Sequence, residues 1–103
     1  MIFGKRKTAP PVRVELTVQG LLGTTYLSVL ATIEVPGGAS LRDALDALRR
    51  RGELDPEAHA LLRDVPEPLT LLVNGAPVTG RGRAKTRLAD GDQVTILTPV
   101  SGG

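Results

Sequence analysis

The sequence predicts an α+β roll: a mixed sheet of four to five strands, covered on one face by one main helix and a second short helix. Three observations carry that prediction. Two stretches of apolar alternation stand near the start, a capped segment with helical spacing follows, and the second half returns to short apolar runs set off by Asn74-Gly75 and Asp90-Gly91. The chain has 103 residues, a size that forms one domain and buries roughly 60–70% of its unfolded surface in one core. Phe3 and Tyr26 are the only aromatic residues, so leucine, valine, isoleucine and alanine fill that core.

Residues 1–11 contain Lys5-Arg6-Lys7 and Pro10-Pro11 and show no apolar period. Proline fixes φ and removes a backbone donor, so this stretch reads as a mobile basic arm ahead of a domain over residues 12–99. In Val12–Val18, Val12, Val14, Leu16 and Val18 share one face while Arg13, Glu15 and Thr17 take the other, which is the period of a half-buried strand. Gln19–Thr25, punctuated by Gly20 and Gly23, reads as a connection, which leaves both aromatic residues outside the regular segments. Leu27–Val35 is the second strand, with Leu27, Val29, Ala31, Ile33 and Val35 in phase, and Pro36-Gly37-Gly38 ends it.

Ser40 followed by Asp43 has the spacing of a capping box, in which each side chain satisfies a free amide at a helix start. Leu41, Ala44, Leu45 and Leu48 then recur with helical spacing, and Arg49, Arg50 and Arg51 precede Gly52, where cations complement the negative end of the helix dipole. Asp55-Pro56 opens the shorter helix, which reaches about Leu62 before Pro66 and Pro68 forbid continuation. Leu69–Asn74 is a strand turned by Asn74-Gly75, a dipeptide suited to the positive backbone angles of a tight hairpin, with Val78 on the return strand. Gly80–Arg87 is polar and glycine-spaced, a loop or weak edge segment. Asp92–Thr98 forms the last strand with Val94 and Ile96 inward, Pro99 ends it, and residues 100–103 form an extended tail.

Composition excludes several classes of function. The absence of cysteine removes disulfides, thiolate metal sites and cysteine nucleophiles, and fits a reducing cytoplasm. His59 is the only histidine, so no metal site is expected. No apolar run approaches the length of a membrane span, and Met1–Lys7 lacks the apolar core of a secretory signal. The expectation is a cytoplasmic protein with no membrane partner. Thirteen basic against eleven acidic residues give a net charge of +2. That balance, without aromatic platforms for bases to stack on, points away from nucleic acid.

Catalytic constellations are missing as well. Ser28, Ser40 and Ser101 lack a local base and a nucleophile elbow, and no glycine-rich loop ends in Lys-Ser or Lys-Thr. Asp90 and Asp92 flank a turn glycine and read as turn formers. What stands out is the ending. Gly102-Gly103 after a strand makes a thread without Cβ atoms, slim enough to deliver a carboxylate down a narrow channel into another protein.

The run Asp90-Gly-Asp-Gln-Val-Thr-Ile-Leu-Thr-Pro-Val-Ser-Gly-Gly103 resembles the C-terminal signature of the MoaD/ThiS family of ubiquitin-like sulfur carriers. Leu72-Val-Asn-Gly-Ala-Pro-Val78 is similar to the family's central hairpin, and Gly38-Ala-Ser-Leu-Arg-Asp-Ala-Leu45 to its capped first helix, in the family's order. The resemblance implies a β-grasp fold and a carrier that is not itself an enzyme and binds no cofactor. An E1-like adenylating enzyme would use its own ATP and Mg²⁺ to place AMP on the Gly103 carboxylate. A sulfur donor, a sulfurtransferase or a persulfide, would then convert it to a thiocarboxylate. In that scheme Gly103 bears the labile group, Gly102 supplies slimness, and Pro99, Val100 and Ser101 position the tail. An acceptor enzyme such as a molybdopterin synthase large subunit would take the sulfur. Molybdopterin, thiazole for thiamin, cysteine and other metabolites all stay open as its destination. Two other classes stay open too: a modifier joined to lysine amines through Gly103, and a non-covalent β-grasp interaction module.

Strand parity turns residues out of phase with the core toward the uncovered sheet face. Leu72 and Leu97 fall there on neighbouring strands next to the tail, with Leu30 further out, and are expected to dock the activating and acceptor enzymes. Arg81, Arg83, Lys85 and Arg87 read as a solvated loop with a local charge of +4. His59 reads as a residue on a helix surface.

Overall fold

The computed structural model describes residues 10–98. Residues 1–9, most of the expected basic arm, and Pro99–Gly103 lie outside the described residues. The elements are β1 (Val12–Leu22), β2 (Thr25–Val35), α1 (Leu41–Arg50), α2 (Pro56–Leu62), β3 (Thr70–Val73), β4 (Ala76–Pro77) and β5 (Gln93–Leu97), with a 3₁₀ turn over Arg83–Lys85 between β4 and β5. The strands form one mixed sheet in the order β2-β1-β5-β3-β4. β1 runs antiparallel to β2 and parallel to β5, and β3 is antiparallel to both β4 and β5. Parallel neighbours need a long crossover, and the two helices supply it, so the last strand arrives in the middle of the sheet.

The periodicities place the core as expected. Val14, Leu16 and Val18 of β1, Leu27, Ala31, Ile33 and Val35 of β2, Leu71 of β3, and Val94 and Ile96 of β5 are buried under Leu41, Ala44, Leu45 and Leu48 of α1 and Ala58 and Leu62 of α2. The helices start where their caps predict. Ser40 Oγ accepts from the Asp43 amide at 3.3 Å, Asp43 Oδ2 accepts from the Ser40 amide at 2.9 Å, and Asp55 Oδ1 accepts from the Ala58 amide at 2.9 Å.

Three expectations are overturned. Gln19–Thr25 is not a connection: β1 continues to Leu22 and β2 begins at Thr25, the two pair as far as Leu22 opposite Thr25, and Tyr26 lies within a strand. Arg83 is not a solvated loop charge. It is 7% exposed, and its guanidinium donates to the carbonyls of Val65 (3.0 Å), Val78 (3.3 Å) and Leu69. A carbonyl buried without a donor is costly, so this one side chain ties the end of the α2–β3 connection to the base of the β3–β4 hairpin. His59 is half-buried, with Nε2 2.5 Å from Asp46 Oδ1, and joins α2 to α1. The return strand is also shorter than the position of Val78 implied, because Pro77 cannot donate to a ladder, although the Val78 amide still bonds Leu71 O at 2.9 Å.

Candidate functional site

The candidate site is the end of β5, where the chain leaves the sheet. The strand is launched by the Asp90-Gly91-Asp92 turn. Asp90 Oδ1 accepts from the Arg13 amide at 2.8 Å, and the Gly91 amide donates to Arg13 O at 2.8 Å. Asp92 accepts from the Ala89 amide and from Asn74 Nδ2. Asn74, in the left-handed region at φ +53, returns Oδ1 to the Gln93 amide at 2.9 Å. Both carboxylates are turn formers, as their sequence positions predict, and they fix the start of β5 against β1 and the β3–β4 hairpin.

At the other end, Thr98 is 7% exposed and its amide donates to Gln19 O at 3.1 Å, so β1 holds the chain one residue past the strand. Gly20 makes this closure feasible. A Cβ there would stand 2.0 Å from Thr98 Oγ1, and φ of +125 is itself a glycine conformation. The point of departure is thus fixed by a glycine and a threonine from opposite ends of the chain.

Around that point the open face is organised in cross-strand rows. Register sets Ser28, Gln19, Leu97 and Thr70 in the exit row, and Leu30, Thr17, Thr95 and Leu72 in the next. Leu72 and Leu97 are therefore diagonal neighbours, a spacing of about 7–8 Å that lets leucines touch. Both are half-buried, and neither belongs to the core cluster. Leu30 is not in contact with them across the sheet, because Thr17 and Thr95 stand between, and it is 75% exposed. On the far side of the exit row, Tyr26 pairs with Leu21, and they are 62% and 53% exposed. Gln19 Nε2 donates to the Tyr26 hydroxyl at 3.5 Å. Sequence reading missed these two residues by taking their hairpin for a loop; the signal for them was the shortness of Gly23-Thr24 as a turn between two apolar runs. Gly103, Gly102, Ser101, Val100 and Pro99 lie outside the described residues.

A cleft of about 500 Å³ lies at the opposite end of the open face among Arg13, Glu15, Thr32, Glu34, Asp90 and Asp92. Among the described residues no three acidic or histidine side chains come together to hold a metal ion, and no helix is long and apolar enough to cross a membrane. Among the described residues the geometry offers a rigid point of departure for a chain end, flanked by exposed apolar side chains.

A family model described as the ThiS family matches residues 3–103. No curated protein sequence matches the chain. The crystal structure of SAMP1 from Haloferax volcanii superposes with a TM-score of 0.57 at 23% identity, covering 88% of this chain and 99% of that one. The solution structure of the HVO 2177 protein from the same organism gives a TM-score of 0.53 at 24% identity, covering 98% and 100%. The small archaeal modifier protein 1 of Methanosarcina acetivorans gives 0.51 at 23% identity, covering 92% and 100%. These likenesses identify the fold as the ubiquitin-like β-grasp.

Proposed function

The chain belongs to the ThiS family, and from that premise we propose that it is a sulfur carrier whose working group is the Gly103 carboxylate. The observation that carries the proposal is the extent of the family match, which runs through Gly102 and Gly103. The fixed exit of β5 supports it, since a chain end that must enter another protein's active site works best when its starting point does not wander. An E1-like enzyme binds ATP and Mg²⁺; a Gly103 carboxylate oxygen attacks the α-phosphorus and expels pyrophosphate, leaving an acyl adenylate. A persulfide sulfur on the donor then displaces AMP, and a second thiol cleaves the resulting acyl disulfide to leave the thiocarboxylate. The chain supplies the reacting carboxylate and no catalytic side chain. Leu97 and Leu72 beside the exit, with Leu30 beyond them, dock the activating enzyme and afterwards the acceptor enzyme, for which a molybdopterin synthase large subunit or a thiazole-forming enzyme has the matching chemistry.

The test is intact-mass spectrometry after incubation with the E1-like enzyme from the same genome, ATP, Mg²⁺ and a persulfide donor. Exchange of oxygen for sulfur adds about 16 Da, and a chain truncated before Gly102 gains nothing. A full-length chain that stays at its starting mass, or cellular activity surviving the truncation, overturns the proposal.

A second reading has its own support, because two of the similar structures are small archaeal modifier proteins. In it the same activated Gly103 forms an isopeptide bond with a lysine amine of another protein. Large adducts dependent on Gly103 mark that outcome in the same experiment.

A further inference from the structure

β2 is an outer strand of the sheet, and it pairs with β1 without a bulge from Thr25 to Val35. The pairing decides which of its backbone groups are already bonded. On β1 the Glu15 amide donates to Asp92 O, and Gln19 O accepts from the Thr98 amide, so both residues turn their backbone groups toward β5. Backbone groups alternate sides along a strand. Val14, Leu16 and Val18 therefore bond Ile33, Ala31 and Val29, and the same phase closes the two-residue turn at Leu22 and Thr25. Tyr26, Ser28, Leu30 and Thr32 consequently turn their amides and carbonyls outward. Thr32 O is taken by Arg51 at the end of α1, whose Nη1 donates to it at 3.3 Å. Among the described residues nothing bonds the outward groups of Tyr26, Ser28 and Leu30.

An outer strand left open in this way is a template for another strand, against which charge, proline or a bulge gives protection. Residues 25–33 have none of these. Identical strands pair antiparallel about a two-fold axis. With the axis at Ser28, Ser28 faces Ser28 of the second copy, and Tyr26 faces Leu30 of the second copy on either side. Each of these pairs exchanges two hydrogen bonds. The register uses the open groups and spares the Arg51 contact, because Thr32 then falls opposite Thr24 in the turn of the second copy. An axis at Leu30 would set Ser28 against Thr32 and displace Arg51. An aromatic ring opposite an aliphatic side chain is a favourable cross-strand pair, and here it joins two side chains that are 62% and 75% exposed. On the helix side, Leu27 meets Val29 of the second copy, and Val29 is the one residue in the buried phase of Leu27–Val35 that is only half-buried.

We infer that β2 pairs with β2 of a second copy of this chain, antiparallel about Ser28, to form one continuous sheet. The inference does not depend on the sulfur-carrier reading. The paired segment carries no charge, so two identical edges meet without repulsion. About five residues of each copy take part, less contact than a permanent dimer makes, so the association is weak and follows concentration. β5 lies two strands in from the joined edge, which leaves the two exits roughly 24 Å apart and pointing opposite ways.

The test introduces a single thiol into a chain that has no cysteine. At the axis the two Ser28 Cα atoms are about 5.5 Å apart, within the span of a disulfide. Ser28→Cys is expected to give, under mild oxidation, at least about tenfold more disulfide-linked dimer than Thr32→Cys, which is also exposed but stands roughly 27 Å from its counterpart in this register. Sedimentation equilibrium of wild type is expected to show an average mass that rises with concentration toward about twice that of the monomer. Ser28→Pro removes an amide that faces away from β1 and should weaken association at least about tenfold. Ser28→Lys sets two like charges opposite each other and weakens it without altering the backbone. Circular dichroism and a thermal melt establish that the variants are folded. Wild type that stays monomeric up to about 1 mM, Ser28→Cys that links no better than Thr32→Cys, or folded Ser28→Pro and Ser28→Lys variants that associate as wild type does, overturns the inference.

Discussion

Ile96 and Leu97 are adjacent on β5 and point to opposite faces. Ile96 is fully buried, in contact with the core under the two helices, whereas Leu97 stays half-buried on the open face outside the core cluster. The same division runs along β1, where Val14, Leu16 and Val18 are at most 1% exposed and Arg13, Glu15 and Thr17 alternate with them toward the open side. On the covered face each position is set by volume. On the open face, Leu30, Tyr26 and Leu21 are 75%, 62% and 53% exposed and have no role in the core.

That contrast is breakable by substitution. Ile96→Ala opens a cavity in the middle of the sheet and should cost about 2–5 kcal/mol in urea unfolding. A cost below 1 kcal/mol would mean that the covered face is not the core. Gly20→Ala tests the point where the two faces meet the exit. It forces a Cβ against Thr98 Oγ1 and should cost about 1–3 kcal/mol, with part of the loss recovered in Gly20→Ala/Thr98→Ala. No recovery would assign the glycine's role to its φ alone. Arg83→Met leaves three carbonyls without their donor and should cost about 1–3 kcal/mol. Arg83→Lys should recover little, because an ammonium cannot reach three acceptors in the plane a guanidinium spans. Ser40→Ala removes the cap of α1 and should cost about 1 kcal/mol by the same measurement.

The covered face was legible because its signals are local. Ser40 with Asp43, and Asp55 before Pro56, mark both helix starts within a few residues, and Val12–Val18 and Leu27–Val35 show their burial in their own alternation. The open face at the exit was less legible, since its cause is not local. Gly20 interrupts the β1 alternation for the sake of Thr98 at the far end of the chain, and without that contact the glycine reads as the start of a loop, which hid Leu21 and Tyr26. Arg83 among Gly80, Arg81 and Gly82 carries no sign that its guanidinium turns inward, because two of the three carbonyls it serves, those of Val65 and Leu69, lie 18 and 14 residues away. His59 and Asp46 likewise meet only once the two helices pack. Leu72, Leu97 and Leu30 could be placed on a face by parity, but parity does not give the register that sets Thr17 and Thr95 between Leu30 and Leu72.

The smallest expected effect on stability is the sharpest on the comparison. Leu30 has three quarters of its surface in water, and its row neighbour on β1 is Thr17. Leu30→Ser therefore removes almost no buried area and should change stability by no more than about 0.5 kcal/mol. If the open face docks a partner, the same change should weaken adenylation by raising KM, because an exposed leucine contributes its hydrophobic free energy only when something covers it. A variant as stable as wild type but poorer as a substrate would separate the two faces by function as well as by burial. A variant less stable by 2 kcal/mol or more would show that Leu30 is buried in solution and that the division between the faces is misplaced at β2.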